Sequence, residues 1–417
     1  MYRIHARTLV HGGGGSTPSG ILLLADGRIT YAGPAAGAPP ARPEETVVTV
    51  PVAMPGLWDC HTHFSGVRGP LSTERLMLTP AEIAVARSVR DARRALHAGF
   101  TSVRELGGYG IYLAQVIDEG SAEGPTVYSA GRVISPSGGH SDAHSLPYPW
   151  VVDPHRRDGM LQVADGEAEC LRAVRLQLRM GAKVIKICAS GGVISELDHP
   201  RHQQFSDAEL KVMVAEAARA ERVVAAHCHG IAGIRAAVRA GCRTIEHGTE
   251  LDERTASEMK SADATLVPTR TAYEAILTHR DEVPPAALRK LTELEGRHRE
   301  AMAIARAVGV RVAAGTDLGT STPGSPFAWG GNGAEFVHLV AAGFSPEEAV
   351  AAGTALAPLT LGPQAPRSGQ LTAGYDADVL GLTGNPLEDI AILARPAEIT
   401  HVWKTGKLVK QPAAVSA

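Results

Sequence analysis

Apolar and polar positions follow two textures along this chain. Up to about residue 50, and again beyond about residue 370, short apolar runs are separated by turns. Ile21-Leu22-Leu23-Leu24, Ala25-Asp26-Gly27-Arg28 and Ile29-Thr30-Tyr31-Ala32-Gly33 read as strand, turn and strand, because Asp-Gly between apolar runs favours a hairpin. Residues 377–382 and 401–409 repeat that texture. Between the two ends, apolar runs of strand length alternate with amphipathic stretches of helix length. Strands are expected near 52–59, 101–105, 126–129, 183–187, 223–227, 244–247, 265–268 and 311–314. Thr79-Pro80-Ala81-Glu82, Ser206-Asp207-Ala208-Glu209 and Ser345-Pro346-Glu347-Glu348 each set a hydroxyl before a helical stretch and a carboxylate three residues on, the signature of a capped start.

Eight strands separated by helices predict an α/β fold, a (β/α)8 TIM barrel of roughly 300 residues. A doubly wound sheet is the rival, but no glycine-rich nucleotide fingerprint follows the first strand. The expected division is 1–54 and 368–417 as two halves of one small β-sandwich, with the barrel over 55–367.

At 417 residues the chain is too long for one small core. Hydrophobic residues at 44%, charged ones at 20% and a net charge of -3 describe an ordinary globular protein without a basic footprint for nucleic acid. The opening MYRIHARTLV carries no leader pattern, no apolar run approaches membrane length, and the five cysteines form no Cys-x-x-Cys pair. A reduced, cytoplasmic setting, a small-molecule substrate, a homo-oligomer and no nucleic acid or membrane partner are expected.

The chemistry starts at Trp58-Asp59-Cys60-His61-Thr62-His63. Strand alternation turns His61 and His63 to one face and Thr62 to the other, which suits a chelating pair of neutral imidazoles. If the barrel is right, the carboxyl ends of its strands meet at one mouth. Lys186, His227, His247 and Asp317 stand at or near such ends. One strand-end histidine can simply cap a loop; five polar residues at the same relative position argue for a shared site. Lys186, within Val184-Ile185-Lys186-Ile187-Cys188, is costly as an ammonium in an apolar strand. Either it reaches the mouth to pair with an acid such as Glu196, or its free amine reacts with carbon dioxide to give a carbamate that can bridge two cations.

Together with Met54-Pro55-Gly56, Gly138-Gly139-His140, Ala189-Ser190-Gly191-Gly192-Val193 and Ala373-Gly374-Tyr375-Asp376-Ala377-Asp378-Val379, these motifs resemble the amidohydrolase superfamily over essentially the whole chain. The most similar branch is the metal-dependent dipeptidases of prolidase type, with imidazolonepropionase-like and ochratoxin-hydrolysing relatives. The resemblance implies two divalent ions, most often zinc. His61, His63 and Asp317 would hold the more buried ion and His227 and His247 the other, while carboxylated Lys186 would bridge both beside a hydroxide. Two cations lower the pKa of such a water and polarise a carbonyl; Asp317 would take its proton and hand it to the leaving nitrogen. His140 would bind or polarise the scissile carbonyl. His229 stands where relatives commonly carry a tyrosine for the substrate carboxylate, a departure from the peptidase pattern.

His144, Arg270 and Tyr273 are further substrate-binding candidates, and Phe327 and Trp329, in the long loop 318–333, could wall the pocket. The expected activity is hydrolysis of an amide bond in a small N-acyl amino acid or dipeptide. Hydrolysis of a cyclic amide, lactone or carbamate, or ring deamination, is the alternative on the same scaffold. An inactive metal-binding scaffold is the third.

Overall fold

The computed structural model describes residues 1–69, 72–153, 159–280 and 283–412. Its strands run in chain order as β1 (Tyr2–Val10), β2 (Ser16–Ala25), β3 (Arg28–Pro34) and β4 (Thr46–Pro55). Then come β5 (Leu57–Thr62), β6 (Phe100–Glu105) and β7 (Thr126–Ser129). These are followed by β8 (Val133–Ser135), β9 (Leu161–Val163), β10 (Ile185–Cys188), β11 (Val224–Cys228), β12 (Thr244–His247), β13 (Thr265–Val267) and β14 (Arg311–Val312). The last three are β15 (Val379–Leu382), β16 (Ile399–Lys404) and β17 (Lys407–Lys410).

The two ends of the chain do meet. They form one seven-stranded mixed sheet in the order β17-β16-β15-β4-β1-β2-β3, joined where β15 pairs antiparallel with β4. All seven strands are linked by hydrogen bonds into that one sheet. Ile4, Leu22, Leu24, Val50 and Trp403 pack its core.

The run 52–59 is two strands, not one. Gly56 breaks it: its N–H donates to Asp378 O at 2.9 Å, and a Cβ there would meet the Thr101 side chain at 2.1 Å. β4 therefore stays with the terminal sheet while β5 enters the parallel one. β5, β6 and β7 pair in parallel, as do β9, β8, β10, β11, β12, β13 and β14 in that order. Backbone bonds link the two sets at both sides: Cys60 N–H donates to Ala314 O at 2.8 Å, and Lys183 N–H to Ser129 O at 2.8 Å. The strands are buried on both faces and read as continuous apolar runs, as covered parallel strands do.

Two of the three expected helix starts are full capping boxes, Ser206 with Glu209 ahead of Asp207–Arg219 and Ser345 with Glu348 ahead of Pro346–Ala352. Thr79 does not cap Ala81–His97; it closes the preceding helix Thr73–Leu78 by donating to Arg75 O at 2.7 Å. Among the described residues no helix is long and apolar enough to cross a membrane. All five cysteines are buried thiols.

Candidate active site

The strand ends converge. His61 Nδ1 donates to Glu246 Oε2 at 2.8 Å, which leaves Nε2 as an acceptor 3.3 Å from Lys186 Nζ. His63 Nδ1 donates to Gly107 O at 2.9 Å, so Nε2 faces Asp317 Oδ1 at 2.9 Å. His247, Thr269 and Asp317 take the left-handed backbone region, with φ of 69°, 56° and 61°. Non-glycine residues seldom do so, and such strain gathers at functional sites.

Thr269 fixes the tautomer of His247. Its hydroxyl donates to Pro268 O at 2.6 Å, so it accepts from His247 Nδ1 at 2.7 Å. His227 Nε2 donates to Gly191 O at 3.3 Å. Consequently His227 Nδ1 and His247 Nε2, 2.9 Å apart, confront each other as two bare lone pairs. Buried acceptors this close repel unless a cation lies beside them. His61, His247 and Asp317 likewise bring one ligand atom each within 4.8 Å of one another. The donor set of neutral imidazoles and a carboxylate therefore fits a divalent metal.

Electrostatics agree with that fit. Burial holds the Lys186 amine below its ordinary pKa. Glu196 is exposed, lining a separate surface recess with His144, so the alternative pairing with Lys186 is not what the fold adopts. Burial, reinforced by the Lys186 charge, pushes His61 down to about 4, and burial keeps His227 and His247 well below the ordinary range. The Asp317 carboxyl, raised by burial, ends far below normal because the His61 and His63 imidazoles outweigh it.

A supporting layer escapes sequence reading. Arg104, fully buried on β6, donates through Nη2 to Glu246 Oε1 at 2.7 Å, through Nη1 to Thr244 Oγ1 at 2.9 Å and through Nε to Cys60 O at 2.6 Å. Glu246 thus holds the His61 ring with one oxygen and Arg104 with the other. Burial raises the Glu246 pKa, yet Arg104 and His61 bring it down to about 2. Asp59 accepts from the Thr316 backbone at 3.0 Å, the Thr316 hydroxyl at 2.6 Å and Asn332 Nδ2 at 2.7 Å, tying β5 to the loop that carries Asp317. Such outer partners orient metal ligands.

A sequence profile of the amidohydrolase family matches residues 52–409. The chain belongs to the amidohydrolase family. It is 43% identical to the ochratoxinase of Aspergillus niger over 424 residues, covering 98% of this chain and 86% of that one. The crystal structure of A. niger ochratoxinase matches with a TM-score of 0.91 and 42% identity over 99% of this chain and 96% of that one. A prolidase complexed with N-methylphosphonate-L-proline matches with a TM-score of 0.89 and 30% identity over 99% and 100% of the two chains. The imidazolonepropionase of Xanthomonas oryzae pv. oryzae is 26% identical over 88% of each chain. This amidohydrolase is accordingly a hydrolase, and its relatives support amide hydrolysis.

The amidohydrolase site opens into a cavity of about 180 Å3 lined by His61, His63, Lys186, His227, His247 and Asp317. His140 and Phe327 also line it, and Leu76, Val133, Met160, Leu161, Ile194 and Ile276 make most of its wall apolar. Those aliphatic residues carry no chemical signature, and nothing in the sequence singled them out. Four other expected substrate contacts, Arg270, Tyr273, Trp329 and His144, lie elsewhere. Arg270 is buried behind the wall, its guanidinium on Glu274 Oε1 at 2.7 Å and His298 Nδ1 at 3.3 Å. Tyr273 stacks on His298, with ring centroids 4.1 Å apart. Trp329 stacks on Phe64 at 4.2 Å, and His144 accepts from Leu197 N at 3.2 Å at the surface recess. His229 is buried beside His227 and His247, its Nδ1 on the hydroxyls of Thr249 and Tyr273. Burial pushes His229 down to about 3 and holds the Tyr273 phenol above its ordinary pKa.

Proposed function

We propose that this amidohydrolase is a binuclear metal-dependent enzyme that cleaves the amide bond of a small N-acyl amino acid or dipeptide with an apolar acyl group. The reading is carried by the pair of unprotonated imidazole nitrogens, His227 Nδ1 and His247 Nε2, facing each other at 2.9 Å. His61, His63 and Asp317 would hold one ion, His227 and His247 the other. Lys186, its amine joined to carbon dioxide with loss of one proton, would reach both. Zinc is the metal that the family resemblance favours. Bound ions would supply a water made acidic near neutral pH and a Lewis acid for the carbonyl.

Asp317, held as a carboxylate by the neighbouring imidazoles, takes a proton from the attacking water and returns it to the amide nitrogen as the C–N bond breaks. His140 donates from Nδ1 to Ser195 Oγ at 2.9 Å, because the Ser195 hydroxyl donates to Asp198; its Nε2 is then an acceptor, suited to a substrate N–H and not to the scissile carbonyl that the resemblance implies. Phe327 and the aliphatic wall receive the acyl group. The parallel strands are read as a closed (β/α)8 barrel over 55–367, flanked by a β-domain from 1–54 and 368–417, and the backbone bonds from Cys60 to Ala314 and Lys183 to Ser129 support that reading.

The cavity wall also favours a second reading. Lys186 is its only lysine or arginine among the described residues, and among them no guanidinium faces a substrate carboxylate. An uncharged cyclic amide, lactone or carbamate, or a ring that loses ammonia, would fit equally. A panel of N-acyl amino acids, dipeptides and cyclic amides assayed with zinc-loaded enzyme tests both. Turnover of acyclic amides, reduced about 100-fold or more in Asp317→Asn, is expected; equal rates in the two proteins remove Asp317 from its role.

A further inference from the structure

His229, Thr249 and Tyr273 form a closed triangle of polar atoms. Thr249 Oγ1 lies 2.8 Å and the Tyr273 hydroxyl 3.0 Å from His229 Nδ1, and the two hydroxyls are 2.5 Å apart. All three residues are buried, and neither hydroxyl has another hydrogen-bond partner among the described residues. The protons can therefore be counted. If Nδ1 carried a proton it would donate to one hydroxyl, one hydroxyl would donate to the other, and the second hydroxyl proton would be buried without an acceptor. If Nδ1 is bare, one hydroxyl donates to the other and that one donates to Nδ1. Every proton then has an acceptor, so the ring proton must sit on Nε2.

From this count we infer that Thr249 and Tyr273 are positioning residues that lock His229 as the Nε2–H tautomer, making it a neutral hydrogen-bond donor to a substrate oxygen beside His227 and His247. His229 packs against both rings, its centroid 4.6 Å from that of His227 and 4.8 Å from that of His247, and it brings one ring nitrogen within 4.8 Å of theirs. Nδ1 is occupied by the hydroxyls, and Nε2 makes no hydrogen bond among the described residues. An N–H there meets a carbonyl, carboxylate or tetrahedral oxygen and repels a cation. Three histidines this close would otherwise read as a three-imidazole metal site; the proton count makes two of them ligands and the third a donor. The inference rests on the reading of His227 and His247 as ligands.

Nitrogen-15 NMR of histidine-labelled enzyme tests it, with the His229 signals assigned by their loss in His229→Gln. A bare Nδ1 and a protonated Nε2 are expected; an Nδ1–H signal overturns the inference. Thr249→Val combined with Tyr273→Phe should collapse that preference, whereas Tyr273→Phe alone should keep it, since Thr249 still donates. Zinc affinity by chelator competition separates donor from ligand. His229→Gln, which keeps an N–H near Nε2, should leave both affinities within about twofold, and a tenfold loss at one site would make His229 a ligand instead. On any amide that the enzyme turns over, His229→Gln should retain roughly ten times the kcat/KM of His229→Leu, and equal losses would overturn the donor role. An enzyme that turns over no amide contradicts the proposed function while the NMR and zinc results still decide the tautomer.

Discussion

Replacing Glu246 by glutamine changes one oxygen to an NH2 at the point where the fold and the proposed metal ligands meet. Glu246 accepts with both oxygens: Oε1 from Arg104 Nη2 at 2.7 Å and Oε2 from His61 Nδ1 at 2.8 Å. Glutamine can satisfy only one of them. With its oxygen toward Arg104, its NH2 faces the His61 Nδ1–H and forces the imidazole to give up that proton to Nε2, the atom proposed to bind metal. With its oxygen toward His61, the NH2 faces a guanidinium. Either way Arg104, fully buried, loses its counter-charge. Breaking a buried pair from one side costs about 3–5 kcal/mol, and losing an outer-layer partner typically weakens metal binding about 10–100-fold. With a urea slope of about 3 kcal/mol per molar, that stability loss lowers the unfolding midpoint by about 1 M or more. Metal-free protein unfolded in urea reads the first effect and chelator competition the second. A midpoint within about 0.2 M of the parent together with unchanged zinc affinity would refute the pairing argument.

Two further outcomes follow from the same geometry. His298, buried with Nε2 on Pro268 O at 2.8 Å, is pushed down to about 3 by burial and the Arg270 charge, against 6.5 when unfolded. Its contribution is complete above pH 6.5 and falls as pH drops toward 3, because only the unfolded state takes the proton there, by up to about 1.4 kcal/mol per pH unit. Asp59, held up to about 6, and Glu105 and Glu335, held up to about 7, act in the opposite sense, so the readout is the difference between parent and His298→Gln in urea midpoints from pH 7 to 5: the variant should gain on the parent as pH falls, and a constant difference would contradict the assignment. Phe327→Ala should raise KM for amides with aromatic acyl groups roughly tenfold, about 1.5 kcal/mol of lost apolar contact, with little change for acetyl amides; an equal effect on both would take Phe327 out of the acyl pocket.

The parts of the fold legible in the sequence are those written in continuous local pattern. β6, β7 and β10 to β14 fall within or next to their expected ranges because each is an apolar run bounded by helix signals. β8 and β9 are three residues each, too short for periodicity to register, and the break at Gly56 depends on Thr101 pressing against it from another strand. The six residues expected to hold metal were visible because histidine, lysine and aspartate at apolar strand ends are chemically conspicuous, and all six line one cavity. Arg104 and Glu246 are 142 positions apart, and their pairing exists only once β6 and β12 are folded. Arg270, Tyr273 and Trp329 look from sequence like pocket residues because they follow strands seven and eight. Packing instead turns them toward Glu274, His298 and Phe64.

The most direct test of the whole account is equilibrium dialysis of the purified, metal-stripped chain against zinc and bicarbonate. Two tightly held ions per chain are expected, falling to one or none in Lys186→Ala and in the double variant His227→Ala, His247→Ala. A parent chain that retains fewer than two ions, or a Lys186→Ala chain that holds both as tightly as the parent, would contradict it.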